Sequence, residues 1–190
     1  MAAPGVAVTH YRIDRSVSRF TVRAFSGGVL SVMGHNPTIA IRSYSGEVDF
    51  DPDHLELASL HLRIRADSLE VTDDIKSKDR KEMESTMNEK VLESSKYPEI
   101  VFEGTATSGE SLGEGRYRIK MNGNLSLHGV TRSLPIVAQV AKNGDMLRAY
   151  GEFSINQSDH GIPLVSVAGG ALKIKDELKF AFDMVARKPE

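Results

Sequence analysis

The chain has 190 residues with no cysteine and no tryptophan, and 24 Lys and Arg against 26 Asp and Glu give a net charge of −2. Without cysteine there is no thiol catalysis, no Cys-type zinc site and no disulfide switch, and both reducing and oxidising compartments stay open. The charge balance is too even for nucleic acid to be the partner, and a single domain over residues 1–190 is large enough to fold without staples.

In chain order, the opening MAAPGVAVTHYRID has no basic region followed by an apolar run, so it does not read as an intact signal peptide. No stretch approaches the ~20 apolar residues of a membrane span. The expectation is a soluble protein, cytoplasmic as the chain stands and periplasmic if a leader has been removed. Phe20 and Val22 alternate with polar neighbours as in a half-buried strand. The stretch SVMGHNPTIAIRSYSGEVDF then halts the alternation at Gly34-His35-Asn36-Pro37 and resumes it through Ile39, Ile41, Val48 and Phe50. Those four residues have turn composition, and Pro37 biases Asn36 toward an extended backbone. A turn or bulge bending a long strand is the first reading, and a ligand-facing His35 at a rim is the second.

SLHLRIR places Leu60, Leu62 and Ile64 on one face and His61, Arg63 and Arg65 on the other. The segment 72–92 is densely charged, with Met83, Met87 and Val91 at i, i+4 and i+8. This spacing predicts a helix opened by Thr72 or Ser77, with a narrow apolar stripe. It reads first as a solvated helix resting on the sheet, and second as a lid, because methionines adapt to varied apolar shapes.

Beyond it, Phe102 falls in the next apolar stretch, and YRIKMNGNLSLH sets Tyr117, Ile119, Met121, Gly123, Leu125 and Leu127 against an outward series ending in His128. Leu134, Ile136, Ala138 and Val140 repeat the inward face, Phe153 lies in a further strand, and Leu178, Phe180, Phe182 and Met184 form the last. Residues 108–115 read as a long glycine-rich loop and Asn143-Gly144 as a tight hairpin turn. About eight antiparallel strands with one polar face predict a mainly β closed barrel or a sandwich, with the helical segment packed alongside.

No nucleophile elbow, zinc-protease helix, phosphate loop or dinucleotide fingerprint occurs. His35, His128 and His160 each stand at a strand end beside glycine. Three such histidines could hold zinc with Asp159, which makes a metal-dependent hydrolase or isomerase using His35 and His160 the rival to a binding protein. The outward parity of His128 and the absence of a ligand-spaced pair argue against it, and the expectation is no metal, no cofactor and no catalytic residue. A domain with a filled core acting through its surface is the third reading.

YRIDRSVSRFTV, SGEVDFDP, LRIRADSLEVTD, SSKYPEIVFEGT, GNLSLHGVTRSLP and INQSDHGIP follow one another in the order and spacing of the YceI-like family, which the chain resembles along nearly its full length. The resemblance implies a lipocalin-like antiparallel barrel of eight strands with one helix, holding a long isoprenoid such as a quinone or polyprenyl lipid. It also implies a bacterial source and, for some members, pairing as homodimers. The chain departs from the family pattern at Val17, at His35, and at Gln157 and His160, which stand where the family block has arginine and phenylalanine, a change that bears on the head-group chemistry more than on the fold. On this basis the expected tunnel residues are Phe20, Val22, Val48, Phe50, Leu62, Ile64, Phe102, Met121, Leu125, Ile136, Phe153, Phe180 and Phe182. His35, Asn36, Asp159 and His160 are the expected rim, placed to hydrogen-bond a polar head. Gly123 and Gly151 would leave space or bend their strands.

Overall fold

The structure, a computed structural model, describes residues 8–28, 34 and 36–189, with side chains for all of these but Val167, Ala168 and Leu172. The alternating segments form β1 (Thr9–Ile13), β2 (Arg19–Arg23), β3 (Ser26–Gly27), β4 (Thr38–Ile41), β5 (Tyr44–Phe50), β6 (Ser59–Arg65) and β7 (Leu69–Val71). After helix α1 (Ser77–Thr86) come β8 (Glu99–Gly113), β9 (Arg116–Leu127), β10 (Val130–Asn143), β11 (Met146–Asn156), β12 (Ser166–Val167), β13 (Leu172–Ile174) and β14 (Glu177–Arg187).

Eight of these strands close a ring in the order β1, β5, β6, β8, β9, β10, β11 and β14, with β14 returning to β1 at Ala186 and Arg187. All the pairings are antiparallel, and closure leaves the ring no free edge. The chain is a mainly β, lipocalin-like barrel with a single α-helix among the described residues.

Three strand paths are kinked at one level. A 3-10 turn at Arg15–Val17 separates β1 from β2, Arg42 and Ser43 separate β4 from β5, and a 3-10 turn at Ala66–Ser68 separates β6 from β7. Hydrogen bonds tie the kinks together: Arg65 N donates to the Ser43 carbonyl (3.0 Å), Ser43 N to Ser68 Oγ (3.0 Å), and Arg15 to Ser43 Oγ (3.2 Å). Beyond them β2, β4 and β7 continue the wall from β14, and β7 has a strand on one side only among the described residues. Helix α1 covers that edge, where Glu84 Oε1 accepts the Val71 amide at 2.9 Å. The helix thus replaces the strand that the flared wall lacks.

Helix α1 opens at Ser77, one of the two expected starts, although Ser77 is its first helical residue rather than its cap. Lys76 stands at the N-cap without a side-chain bond, and Thr72 Oγ1 instead donates to the Thr38 carbonyl at 3.1 Å. A π-helical turn at Met87–Val91 extends it, with Leu92 N reaching the Met87 carbonyl at 2.8 Å.

Two hairpins also differ from expectation. The supposed long loop at 108–115 is mostly strand, since β8 runs to Gly113 with register shifts between Ala106 and Ser108 and between Ser111 and Gly113. Glu114 (φ 54°) and Gly115 (φ 69°) alone make the turn, in the left-handed geometry that matches strand twist. The β10–β11 turn falls one residue late, on Gly144-Asp145, because Asn143 pairs with Met146.

The apolar interior has two parts. One surrounds Phe20, Leu62, Phe102, Leu125 and Met184. The other closes the end where the β8–β9 and β10–β11 hairpins turn, with Tyr11, Phe50, Tyr117 and Leu147 buried together. There the Phe50 and Tyr117 rings meet edge-to-face at 5.3 Å. This end is a floor.

Candidate functional site

Between floor and helix the barrel is hollow. A cavity of about 530 Å³ runs through it, within the range of about 300–1,000 Å³ usual for small-molecule sites. Phe20, Val22, Val48, Phe50, Leu62, Ile64, Phe102, Met121, Leu125, Ile136, Phe153, Phe180 and Phe182 all stand in its wall. Parity puts them there, because each lies on the inward series of its strand. Met121, Ile136, Phe153, Phe180 and Phe182 are only partly buried even though they point inward, so the space they face is empty rather than packed. A filled core does not describe this barrel.

An aromatic cluster occupies one wall. Phe153 and Phe180, opposite each other on β11 and β14, stack at 4.7 Å, and Phe20 lies 6.2 Å from Phe180. Ala138, Ala149 and Ala186 line the cavity as small residues and leave it width. Glycine does something else. A Cβ on Gly123 would lie 2.5 Å from the Phe102 ring and 2.5 Å from the Glu103 carbonyl, and one on Gly151 would meet the Phe182 ring at 2.7 Å. These glycines are covered by aromatic rings rather than leaving gaps.

Helix α1 and its π-turn form the cover. Asp79, Glu82, Met83, Thr86, Met87 and Val91 line the cavity together with Leu92. The Met stripe faces the cavity rather than solvent. The stripe grades from polar and exposed at Asp79 and Glu82 to buried at Leu92. Asp79, Glu82 and Thr86 are lining residues that the sequence did not single out, and the buried Gln157, which stands where the family block has arginine, lines the cavity as well. The i, i+3, i+4, i+7, i+8 spacing of 79, 82, 83, 86 and 87 was visible, but only its apolar members stood out.

Gln157 is 4% exposed, and its Nε2 donates to the Lys175 carbonyl at 3.0 Å. It opens a 3-10 turn, Gln157–His160, which Asp176 anchors by accepting Ser158 N and Ser158 Oγ. Those donors hold the Asp176 carboxyl below its usual range.

The expected rim is not assembled as the sequence suggested. His35 lies outside the described residues, and Asn36, Asp159 and His160 do not line the cavity. Asn36 Oδ1 accepts Ser26 N (2.8 Å) and Ser26 Oγ (3.1 Å), so it is committed to β3. Asp159 is exposed, and its carbonyl takes Arg132 Nε at 2.9 Å. His160 is 2% exposed and its Nδ1 donates to the Val130 carbonyl at 3.1 Å. It is a core histidine satisfied by backbone.

His128 also leaves its predicted series. With φ at 53° it sits with Gly129 in the β9–β10 turn rather than continuing the strand. Its Nε2 lies 2.6 Å from Glu93 Oε2, its Nδ1 3.3 Å from the His160 carbonyl, and the Tyr97 ring packs on it at 4.6 Å. This cluster pins the chain just after the helix to a barrel turn. Among the described residues no three His, Asp or Glu side chains converge on a metal-sized site, and nothing supports the metal-enzyme alternative. No described helix is long and apolar enough to cross a membrane.

A closed antiparallel barrel with an apolar interior and a helical cover belongs to the lipocalin-like class of folds. Residues 11–186 match the YceI-like domain, and the chain belongs to that family. It is similar to BcnA of Burkholderia cenocepacia at 19% identity, with a TM-score of 0.69 over 91% of this chain and 98% of that one. A polyisoprenoid binding domain of Saccharophagus degradans, implicated in plant cell wall breakdown, is similar at 14% identity, with a TM-score of 0.68 over 96% and 100%. The YceI protein of Campylobacter jejuni is similar at 21% identity, with a TM-score of 0.56 over 80% and 85%. No curated protein matches the chain.

Proposed function

We propose that the protein binds a long, mostly apolar chain of isoprenoid type, such as a quinone or polyprenyl lipid, and acts as its carrier or store rather than as a catalyst. The observation that carries this reading is the set of inward side chains left accessible around a cavity of about 530 Å³ with an apolar wall. An interior that could have been packed is instead held open, which forfeits contacts and serves no structural end. A guest chain would restore them, at about 0.8 kcal/mol for each methylene removed from water. The likeness to a domain described as polyisoprenoid binding supports the same class of guest.

The test is organic extraction of freshly purified protein with mass spectrometry of the extract, alongside thermal melts with added geranylgeraniol or a long-chain quinone. Co-purifying isoprenoid, or a melt raised in proportion to added ligand, is expected. Ala138→Phe, which fills the lumen from the wall, should abolish the shift. Protein that carries no lipid and melts identically with and without every ligand would sink the proposal.

A further inference from the structure

The cavity-facing stripe of the helix is amphipathic along its length. Its first two members, Asp79 and Glu82, are exposed as well as lining, so they mark where the cavity meets solvent. Met83, Thr86 and Met87 follow at partial burial. An amphiphile lying along this stripe has one favourable direction, with its tail toward the π-turn and floor and its head beside the two carboxylates.

Charge then sorts the heads. No Lys or Arg lines the cavity among the described residues. Arg80 turns aside, where its guanidinium donates to the Asp73 carbonyl at 2.8 Å. Lys78 and Lys81 on the helix, and Lys173 and Lys175 near the small β3–β13 sheet, are exposed and outside the lining. A second observation points the same way. Gln157 is nine-tenths buried in the lining and has its Nε2 committed to the Lys175 carbonyl, and its Oε1 accepts from no protein donor among the described residues. The polar groups offered to a guest are therefore mostly acceptors: two carboxylates, an amide oxygen, the Ser59 hydroxyl, whose proton is given to Asp49 Oδ2 at 3.1 Å, and a threonine hydroxyl able to act either way.

We infer that the tunnel selects chains with an uncharged, hydrogen-bond-donating head, an alcohol or a quinol hydroxyl, and turns away the phosphate or carboxylate of the same chain. This rests on the proposed isoprenoid binding and names the head that such a chain would carry. An alcohol donates to a carboxylate in a charge-assisted bond, whereas an anion meets two like charges with no Lys or Arg in the described lining to offset them.

The experiment compares geranylgeraniol, geranylgeranyl phosphate and geranylgeranoic acid by equilibrium dialysis at neutral pH. The wild-type protein should hold the alcohol at least about ten-fold more tightly than either anion, the scale of a like-charge contact about 4 Å apart at a dielectric a little below that of bulk water, as suits two exposed carboxylates. Added salt should narrow the difference by screening. In Asp79→Asn/Glu82→Gln the anions should gain until the difference is about two-fold. Both sites are exposed, and a urea melt checks that the variant folds. Equal binding of all three compounds by the wild-type protein overturns the inference and leaves isoprenoid binding standing. So does a preference unmoved by salt and by the double variant. Binding of none of them overturns both.

Discussion

Replacing Gly123 by alanine tests the claim that this glycine makes room for a ring rather than for a ligand. Alanine in a strand interior normally gains about 0.5–1 kcal/mol over glycine, so the naive expectation is a more stable protein. The geometry predicts the reverse. Gly123 faces Gly104 across β8 and β9, and the Phe102 ring lies over the pair, with atoms 2.5 Å from a Cβ at Gly123 and 2.7 Å from one at Gly104. The ring could swing away, but the Glu103 carbonyl, also 2.5 Å from the added carbon, belongs to the neighbouring strand and cannot. Overpacking of this kind costs about 1–3 kcal/mol, and the backbone contact puts Gly123→Ala near 2 kcal/mol. For a chain of this size that lowers the melting temperature by about 4–8 °C. Phe102→Leu/Gly123→Ala should recover only the ring's part, leaving the double variant less stable than Phe102→Leu alone. Urea and thermal melts decide it. A Gly123→Ala protein as stable as the wild type would show that the glycine pair is slack and that the ring does not depend on it.

The inward and outward series on β9 give a second contrast: Leu125→Asp should destabilise by several kcal/mol, because it places an unpaired charge in an apolar interior, while the exposed Asn124→Asp should change a urea melt little. The third concerns acid. Arg148 grips Asp183 through two bonds (2.7 and 2.6 Å), and Ser158 holds Asp176, so both carboxyls lie below their usual range. A carboxyl lowered by folding adds stability above its unfolded value near 3.9 and loses it as pH falls through the folded value, so melts should be flat at neutral pH and decline below about pH 4. Asp183→Asn should remove part of that decline, by about 0.5 kcal/mol or less after solvent screening, and an unchanged acid limb would show that the pair contributes nothing.

The barrel was legible because its signal is a period of two repeated over many strands. Parity alone sets Leu125 inside and Asn124 outside, and it puts Phe180 on the inward face of the last strand, where it meets Phe153 in the lumen. Function at the mouth was less legible, for a physical reason. His35, His128 and His160 stood out by residue type and by their glycine neighbours. Yet a histidine near a turn is recruited first by the turn's own unpaired carbonyls, and the Val130 and His160 carbonyls claim His160 and His128. The turn at Gly144-Asp145 missed its predicted place by one residue because Asn143 still had a partner across the hairpin. Asp79 and Glu82 were passed over as solvation. On a charged helix nothing local separates a carboxylate that faces water from one that faces a cavity, and only the docking of α1 against β7 makes the distinction.

That docking also explains how the barrel stays hollow. Rigid packing is concentrated at two places: the floor of Tyr11, Phe50, Tyr117 and Leu147, and the ring of kinks tied through Ser43, Arg65 and Ser68. The helix, beyond the kinks, has no buried residue before Leu92, and its own interior face is half accessible. It is held instead at its margins, by Glu84 on the Val71 amide at one side and by Glu93 on His128 just past its end. A cover fastened by these polar bonds at its margins, and by Met87, Val91 and Leu92 against the core at its C-terminal end, can lie over the lumen while the rest of its inner face stays free. The π-turn at Met87–Val91 belongs to the same design. The wider turn brings Val91 and Leu92 to the lumen after Met87, and directs Glu93 outward to the β9–β10 turn. Space in the middle and fastening at the edge are thus one arrangement, and the polar-to-apolar grade of the helix face gives that space a direction.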